Sequence, residues 1–358
     1  MCQLDQIPQL QQLSEQQRFE MRVVATVLPF RVNHYVINEL INWGDVPSDP
    51  MFQLCFPQKN MLSPEHFNCI AKLLHDDASQ DQVNIAVDDI RQPLNPHPAN
   101  QLEKNIPQFD GERLEGIQHK CRETVLFFPV QGQTCHSFCS FCFRWAQFVG
   151  DKELKIAAND AQTLHSYLRE HIDVTDVLIT GGDPLIMKAK NLRKYIEPLL
   201  QKDFAHITTI RMGTKALSFW PQRFVTDDDA EDLLLLLRQA IDAGKHVALM
   251  AHYNHWRELD TDIAELAISC VREVGVEIRS QGPLLAHINN SADVWARMWQ
   301  RQVELGIMPY DMFVERDTGA KRYFEVPLER AWEIYHDAIQ QIRFGVYRAR
   351  PLYERGPR

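Results

Sequence analysis

The chain has 358 residues, 45% of them apolar, and a formal net charge of −10. This composition suffices for the core of one large domain or two ordinary ones and excludes wholesale disorder. The acidic balance, without a block of Lys and Arg, argues against a nucleic-acid partner, and no apolar run reaches the roughly 18–20 residues that a membrane span needs. The first residues lack the basic and apolar regions of a secretory signal, so we expect a cytoplasmic protein whose thiols stay reduced.

Residues 1–120 predict a helical N-terminal region. Apolar residues recur at helical spacing within 9–28 and again within 36–43. Ser63 and Pro64 are typical of an N-cap and a first helical position, and the four prolines that follow predict an extended connector. We interpret this region as a cap or as an oligomer contact, which makes a homo-oligomer one expectation.

From residue 124 onward, short apolar runs alternate with longer amphipathic segments, which is typical of a parallel α/β sheet. The predicted strands are Thr124–Phe128, Asp176–Ile179, Thr208–Arg211, Val247–Ala251, Val276–Arg279 and Met308–Phe313. The predicted helices are Ala161–Glu170, Asn191–Leu200, Ala230–Ala243, Thr261–Glu273, Ala292–Leu305 and Leu328–Ile342. Six such units predict an open, partial (β/α)6 TIM-like barrel, which has eight units when complete. We place the barrel at 121–327 and a C-terminal helix with a short tail at 328–358.

An acidic run lies just before the helix predicted from residue 230, and a leucine run lies within its first turns. Asp227-Asp228-Asp229 places negative charge at a helix N-terminus, where it is favourable. We interpret this run as a cap and a solvated face and not as a metal site. The five leucines from Leu233 to Leu237 are interpreted as the buried face of a barrel helix.

The stretch from Cys135 to Cys142 holds three cysteines, with three and then two residues between them. A cubane iron–sulfur cluster takes four thiolate ligands, so three clustered cysteines leave one iron open for chemistry. Structural zinc with His136 as the fourth ligand is an alternative, although closed zinc sites usually draw on two separated pairs. Half-buried thiols without any ligand are a third interpretation.

Polar or glycine-rich groups follow five consecutive predicted strands, where the reactive groups of parallel α/β barrels gather. They are the cysteine loop, Gly181-Gly182-Asp183, Arg211 with Gly213, His252, and Gln281. Glycines let backbone approach a ligand, and Asp183 and Arg211 suit an ammonium and a carboxylate or phosphate, respectively. A tight turn is the plain interpretation of Gly-Gly-Asp alone. His252 and His255 would diverge on a strand end, so we interpret His252 as a polar ligand contact and not as a metal ligand.

Together these blocks resemble the lysine 2,3-aminomutase family of radical S-adenosylmethionine (SAM) enzymes. The matching stretches, in the family's order, are Leu28–Asn33, Cys135–Arg144, Ile179–Leu185, Ile210–Lys215, Pro221–Arg223, His252–His255, Gln281–Leu285 and Pro309–Tyr310. They extend over most of the chain, and the combination is far more specific than any single motif.

The resemblance implies a set of site residues. By resemblance, a 4Fe-4S cluster is held by Cys135, Cys139 and Cys142, and SAM contacts Gly181, Gly182, Asp183, Arg211, His252 and Gln281. Arg144 matches an arginine of the family. In the family an electron from the cluster splits SAM into methionine and a 5′-deoxyadenosyl radical. The radical abstracts a hydrogen from an amino acid bound to pyridoxal phosphate (PLP), and the amino group then migrates from the α to the β carbon.

The C-terminus departs from the family. No lysine stands where the family's PLP lysine lies, and the family's substrate-binding aspartate falls at Arg316, with Asp317 beside it. An arginine there would repel a second ammonium, so lysine is not the expected substrate. Three accounts stay open: PLP without a lysine anchor, PLP on another lysine such as Lys215 or Lys245, or loss of PLP with a substrate carboxylate met by Arg316 or Arg322. We favour the loss of PLP because the lysine is missing.

The sequence thus predicts a radical SAM enzyme that abstracts hydrogen from a small amino-acid-like molecule and receives electrons from a flavodoxin- or ferredoxin-type donor. Arg144, Arg316 and Asp317 are candidate substrate residues, and no residue is assigned to the catalytic step itself. The alternatives are a non-catalytic iron–sulfur or zinc protein and a PLP-dependent amino acid 2,3-aminomutase with an unusual PLP anchor. An electron-transfer cluster gains nothing from an open iron, so we favour the enzyme.

Overall fold

A computed structural model describes residues 4–95, 105–109, 111–149, 157–158, 161–315, 317–342 and 350–352. Its strands, in chain order, are β1 (Gln108–Phe109), β2 (Glu112–Arg113), β3 (Ile117–Cys121), β4 (Thr124–Phe127), β5 (Asp176–Ile179), β6 (Thr209–Thr214), β7 (His246–His252), β8 (Glu277–Pro283), β9 (Met308–Phe313) and β10 (Arg350–Leu352). β1 and β2 form a small antiparallel pair, and the other eight strands form one sheet.

The eight-stranded sheet has the order β10-β9-β8-β7-β6-β5-β4-β3. The strands from β4 to β10 are parallel, and β3 pairs antiparallel with β4 at one edge. Within the described residues the two edge strands do not pair with each other, so the sheet stays open. The six consecutive parallel strands from β4 to β9 confirm the predicted partial barrel.

Helices connect the parallel strands and cover the outer face of the sheet. In the barrel and after it they are Trp145–Phe148, Ala161–Glu170, Ala189–Ile196, Ala216–Phe219, Ala230–Asp242, Asp262–Glu273, Ala292–Glu304, Lys321–Phe324 and Leu328–Gln341. The helix from Ala230 buries Leu233, Leu236 and Leu237 completely, as predicted for the leucine run. Because each crossover returns the chain to the same edge, the carboxyl ends of the parallel strands share one edge, which we call the carboxyl rim.

The predicted strands are confirmed, with shifts at their ends. β5 and β9 agree in full, whereas β6 continues past Arg211 to Thr214 and β8 continues to Pro283. Glycine is depleted in strands, so the glycines near these ends concealed the continuation. The sequence did not indicate β3, because its residues are mainly polar and form no apolar run.

Alternate residues of a strand face opposite sides of the sheet. In β6, Ile210 and Met212 join the core beneath the helices, so Arg211 between them faces the concave inner side. In β8, Ser280 donates a hydrogen bond to a helix side chain, which puts Gln281 on the inner side. We call the space on this inner side the lumen.

The N-terminal region is helical, as predicted. Its α-helices are Glu15–Val27, Pro50–Cys55, Pro64–His75 and Gln80–Leu94, and a π-helical turn covers Val36–Leu40. Ser63 accepts a hydrogen bond from the N–H of His66 (3.1 Å) and so caps its helix, as predicted. The region forms a second apolar core, which includes Phe141, Trp145 and Phe324 from the carboxyl rim of the barrel.

One buried carboxylate joins the N-terminal region to the barrel. Asp49 is fully buried and accepts hydrogen bonds from the N–H groups of Met51 (2.9 Å) and Phe52 (2.8 Å). Its second oxygen pairs with Arg257, which follows β7. Charge-assisted hydrogen bonds of this kind satisfy a carboxylate that would otherwise be costly to bury.

The division into 1–120, 121–327 and 328–358 stays a prediction. β3 already enters the sheet at Ile117, before the predicted start of the barrel. Residues 353–358 of the predicted tail lie outside the described residues. In the described part of the chain, no helix has the length and apolar character to cross a membrane.

Arg223 is buried and holds two parts of the carboxyl rim together. Its guanidinium donates to the carbonyl oxygens of Leu185 (2.9 Å) and Met187 (3.1 Å) and pairs with Asp229 (3.1 Å). Asp229 stands at the N-cap position of its helix, as predicted, but its side chain makes no cap bond there and accepts instead from the N–H of Ala189 (2.6 Å). A buried cation needs a paired anion, and this pairing directs the Asp229 carboxylate away from the helix end.

Arg223→Met is expected to lower the free energy of unfolding by about 3–5 kcal/mol, because it leaves Asp229 and two carbonyl groups without their partner. The matched control is Arg330→Met, which removes an exposed pair with Glu333 one helical turn away. That change should cost less than about 0.5 kcal/mol. Urea unfolding of both variants measures the difference, and equal losses would contradict the role given to Arg223.

Candidate functional site

The three predicted metal ligands lie in the loop that follows β4 at the carboxyl rim. Cys135, Cys139 and Cys142 are free and partly buried. Burial raises the pKa of Cys139 to about 12 and that of Cys142 to about 11. The pKa of Cys135 is raised as well. The largest cause is burial, followed by the nearby Asp183 and then by Cys142 and Cys139. The three thiols therefore lie within electrostatic reach of one another.

The Leu28–Asn33 segment binds this loop through two residues. The Arg31 guanidinium donates to Thr134 Oγ1 (2.7 Å) and lies 4.9 Å from the centre of the Phe138 ring. The Arg31 carbonyl oxygen accepts from the N–H of Phe138 (2.8 Å). The N–H of Asn33 donates to Ser137 Oγ (3.0 Å). The segment therefore holds the stretch of loop between Cys135 and Cys139 from outside the barrel.

A second part of the N-terminal region holds the loop between Cys139 and Cys142. The N–H of Ser140 donates to the carbonyl oxygen of Leu54 (2.8 Å), and Ser140 Oγ donates to that of Gln53 (2.8 Å). The Gln53 side chain in turn accepts from the Tyr323 hydroxyl (2.6 Å), which follows β9. The cysteine loop is thus clamped between the N-terminal helices and the barrel.

The Gly181-Gly182-Asp183 turn after β5 packs directly against the start of the cysteine loop. The N–H of Gly182 donates to the carbonyl oxygen of Gly132 (3.0 Å), and the N–H of Asp183 to that of Thr134 (2.8 Å). A Cβ at Gly182 would lie 2.6 Å from the Thr134 backbone nitrogen, so no larger residue fits. Glycine is therefore required here by close backbone packing.

The Asp183 carboxylate is buried and already has three donors. It accepts from Thr214 Oγ1 (2.8 Å), the N–H of Lys215 (2.8 Å) and the N–H of Leu185 (3.0 Å). Burial raises the pKa of Asp183 to about 6, although these donors lower it. The carboxylate thus joins the β5 loop to the end of β6. This arrangement favours a positioning role, and the SAM contact stays a prediction.

Lys215 forms a buried ion pair beneath the rim. Its ammonium donates to Glu258 Oε2 (2.9 Å), Asn254 Oδ1 (3.0 Å) and the carbonyl oxygen of His252 (3.2 Å). Glu258 is fully buried and also accepts from the Ser218 hydroxyl and from the N–H of Asn254. The pair is fully bonded, which a buried ion pair requires.

Sequence reasoning missed this network. Lys215 and Asn254 fell within quoted motifs and Lys215 was a candidate PLP lysine, but nothing about Glu258 or Asn289 distinguishes them from surface residues in the sequence. Asn289 donates to the carbonyl oxygens of Asn254 (2.9 Å) and Pro283 (3.0 Å) and so ties the loop after β7 to the end of β8. What distinguishes Glu258 and Asn289 is their burial, and burial is known only from the fold.

His252 ends β7 and lies against the cysteine loop. Its ring stacks on Phe141, with ring centres 5.7 Å apart and planes at 21°. Burial, together with the charge of Lys215, lowers the pKa of His252 well below its usual value, so the imidazole is neutral. Its Nδ1 is buried and makes no hydrogen bond of ordinary geometry among the described residues, although the Asn254 side chain lies close enough to raise the pKa of the ring slightly. A polar ligand is what such an atom lacks, which is consistent with the predicted contact.

His255 has a structural role. Its Nδ1 accepts from the N–H of Arg257 (3.3 Å) at the start of a short helix, and burial lowers its pKa to about 3. His255 therefore acts as a cap for this short helix.

Gln281 lies in β8 directly opposite His252 of β7. Its carbonyl oxygen accepts from the N–H of Tyr253 (3.0 Å), and its side chain faces the lumen. A Cβ on the next residue, Gly282, would collide with the Tyr253 carbonyl oxygen. The two strand ends therefore approach closely, and His252 and Gln281 share one part of the rim.

The sequence predicted that Arg211 ends its strand, and this prediction is wrong. β6 extends three residues further, to Thr214, so Arg211 lies in mid-strand. Its guanidinium pairs with Asp176 at the start of β5 through Nε and Oδ1 (2.9 Å) and through a second hydrogen bond. This pairing directs Arg211 toward the amino ends of the strands, away from the rim, and its SAM contact stays a prediction.

The three candidate substrate residues are placed differently. Arg144 is partly buried, with its guanidinium 4.7 Å from the Phe128 ring centre and 5.1 Å from that of Phe143. Asp317 is 72% exposed and pairs with Lys321 (2.9 Å). Arg316 lies outside the described residues. Arg144 alone is therefore described beside the cysteine loop, and all three roles stay predictions.

The binding of a cluster or of a single ion by the three cysteines stays a prediction. In the described part of the chain, no group of three or more His, Cys, Asp or Glu side chains converges closely enough to hold one metal ion. A cubane instead binds its thiolates on different irons and keeps them apart. His136, the proposed fourth zinc ligand, lies against Trp220, with ring centres 3.2 Å apart, and its Nε2 is buried without a partner.

Known relatives share most of the chain. A protein of Aquifex aeolicus named "Putative L-lysine 2,3-aminomutase" is 29% identical over 325 residues, which cover 91% of this chain and 75% of that protein. L-lysine 2,3-aminomutase of Bacillus subtilis is 25% identical over 65% of this chain and 46% of its own length. Glutamate 2,3-aminomutase of Clostridioides difficile is 28% identical over 56% of this chain and 44% of its own. The chain thus spans three quarters of one relative and about half of the other two.

Solved structures of similar shape are more distant. SuiB of Streptococcus suis bound to S-adenosylmethionine is 16% identical, with a TM-score of 0.44 over 79% of this chain and 60% of that chain. A radical SAM methyltransferase from Sphaerobacter thermophilus is 13% identical, with a TM-score of 0.42 over 67% of this chain and 69% of that chain. Both TM-scores are low, so the fold assignment depends on the strand order.

No protein-family model matches the sequence. The strand order, the order of the motifs along the chain and the relatives all point the same way. The chain resembles, over most of its length, the lysine 2,3-aminomutase-like family of radical SAM enzymes.

Proposed function

We propose that this protein is a radical SAM enzyme that binds a 4Fe-4S cluster through Cys135, Cys139 and Cys142 and abstracts hydrogen from a small amino-acid-like substrate other than lysine. The observation that carries the proposal is the direct packing of the Gly181-Gly182-Asp183 turn on the cysteine loop. Three backbone hydrogen bonds join them, from the N–H of Gly182 to Gly132 and from the N–H of Asp183 to Gly132 and Thr134. A ligand on the open iron would therefore meet this turn within the same part of the rim.

When bound, the cluster and SAM supply a 5′-deoxyadenosyl radical. The residues of the chain would bind and orient these groups. His252 presents a buried nitrogen without a partner, and Gln281 faces the lumen beside it. The Lys215 ammonium, the Glu258 carboxylate, and the Oδ1 and backbone N–H of Asn254 are bonded to one another and would hold the loops rigid beneath the ligand.

The contacts of the two remaining lysine candidates support an enzyme without a PLP imine. Lys215 is bonded to Glu258 and two further acceptors. Lys245 precedes β7, at the opposite end of the barrel from the cysteines, and donates to the carbonyl oxygens of Phe204 (2.9 Å) and Ile207 (2.7 Å). An amine must be free and deprotonated to form an imine, so neither lysine suits this task.

The competing function is a non-catalytic iron–sulfur protein. It would need the cysteines but neither the lumen-facing Gln281 nor the unpartnered nitrogen of His252. If the protein is an enzyme, we expect a flavodoxin- or ferredoxin-type protein to be its physiological reductant.

Cys139→Ala is expected to abolish the formation of 5′-deoxyadenosine from SAM, because the cluster loses one of three thiolates. The protein is reconstituted with iron and sulfide under anaerobic conditions, reduced with dithionite and assayed for the nucleoside by chromatography. Cys69→Ala removes an exposed thiol of the N-terminal region and is the control; its activity should equal that of the wild type. Wild-type protein with a loaded cluster and no SAM cleavage would support the electron carrier.

PLP added to the purified protein and reduced with borohydride is expected to label neither Lys215 nor Lys245. Both amines are engaged in internal hydrogen bonds, so imine formation is disfavoured. Peptide mapping by mass spectrometry locates any label, and exposed lysines such as Lys190 serve as the reactivity control. A stoichiometric label on Lys215 or Lys245 would support an aminomutase with an unusual anchor.

A further inference from the structure

The lumen is lined by charged residues that mostly neutralise one another. On β5 and β6, Asp176 pairs with Arg211 (2.9 Å). On β8, Arg279 pairs with Glu277. Each of these residues alternates with one that is buried beneath the outer helices, so all four face inward.

Asp311 faces the lumen from β9. Its neighbour Met312 belongs to the core beneath the helices, so Asp311 points to the opposite side. It pairs in register with Gln281 of β8, which itself pairs with His252 of β7. The three residues thus form a row across neighbouring strands below the cysteine loop.

The Asp311 carboxylate has no donor. Its residue is only 9% exposed, yet among the described residues no hydrogen bond or ion pair reaches it. Burial raises the pKa of Asp311 to about 6, and the nearby Arg211, already paired with Asp176, lowers it. The group is therefore mainly ionised at neutral pH. Its oxygens are not among the fully enclosed polar atoms, so they open onto the lumen, where a cationic ligand can reach them.

The charge balance identifies the class of that cation. The lumen-facing pairs on β5, β6 and β8 cancel, and Asp311 leaves one negative charge uncompensated among the described lumen residues. A metal ion would need further ligands around the same point, and no such group occurs there in the described part of the chain. A single ammonium needs only one carboxylate and some polar neighbours.

We propose that Asp311 binds the protonated amine of the substrate in the lumen and so makes this enzyme specific for a molecule with one cationic nitrogen at that point. The inference rests on the proposed function, since it places the amine beside the predicted SAM contacts His252 and Gln281. It also gives the substrate an anionic partner that does not depend on residues 316 and 317.

The test compares Asp311→Asn with wild-type protein, reconstituted anaerobically and supplied with SAM. The probes are L-alanine, L-glutamate and L-lysine, each beside its Nα-acetyl form, in which that nitrogen is neutral. Isothermal titration calorimetry measures their affinities. At least one free amino acid should bind, its acetyl form should not, and Asp311→Asn should weaken binding by about ten- to a hundredfold.

Asp173→Asn is the matched control, since it makes the same change at an exposed carboxylate that pairs with Arg122 on the surface; it should leave the affinity unchanged. Melting temperature separates a ligand site from a structural ion pair. Because an unpaired buried carboxylate opposes folding, Asp311→Asn should melt at the same temperature as the wild type or higher. A marked fall would overturn the proposal and indicate that the carboxylate has a partner within the protein.

Unchanged affinity in Asp311→Asn, or a wild-type protein that binds none of the probes, would also overturn the inference. The proposed function fails by a different readout. If wild-type protein with a loaded cluster forms no 5′-deoxyadenosine, the enzyme assignment is wrong whatever the calorimetry shows.

Discussion

The carboxyl rim depends on one buried carboxylate, that of Asp183. Its oxygens accept from the end of β6 and from its own turn, and its backbone N–H donates to the start of the cysteine loop. A carboxylate in this environment is costly to bury unless donors surround it, so the group and its donors specify each other's positions. Three separate pieces of chain, each carrying a predicted ligand contact, are brought together in this way.

The N-terminal helices complete the same part of the molecule. The cysteine loop has little regular secondary structure. It is held by hydrogen bonds with Arg31, Asn33 and the carbonyl groups of Gln53 and Leu54. The apolar core of the region takes in Phe141 between two of the cysteines. The region described from sequence as a cap or an oligomer contact is thus a support for the loop, which gives the Leu28–Asn33 motif a physical reason.

The two faces of the sheet carry different chemistry. The outer face is an apolar core beneath helices, whereas the lumen is polar and charged. Packing that is dense and apolar on one side provides the rigidity that a site needs on the other. The lumen also holds Asp311, the carboxylate proposed above to bind the substrate amine.

The sequence by itself determined the architecture and marked the cysteine loop as the candidate ligand site. Hydrophobic periodicity located the six parallel strands of the barrel to within a few residues, and the spacing of Cys135, Cys139 and Cys142 marked the loop, since both signals are local. Arg211 was placed wrongly because a glycine concealed the end of β6, and the pairing that draws its side chain down to Asp176 lies 35 residues away. Only the tertiary structure decided that Lys215 is bound to Glu258, that His252 keeps a nitrogen without a partner, and that Asp311 faces the lumen unpaired. These facts concern which distant groups meet and how deeply they are buried, and neither is encoded in the neighbouring residues of the chain.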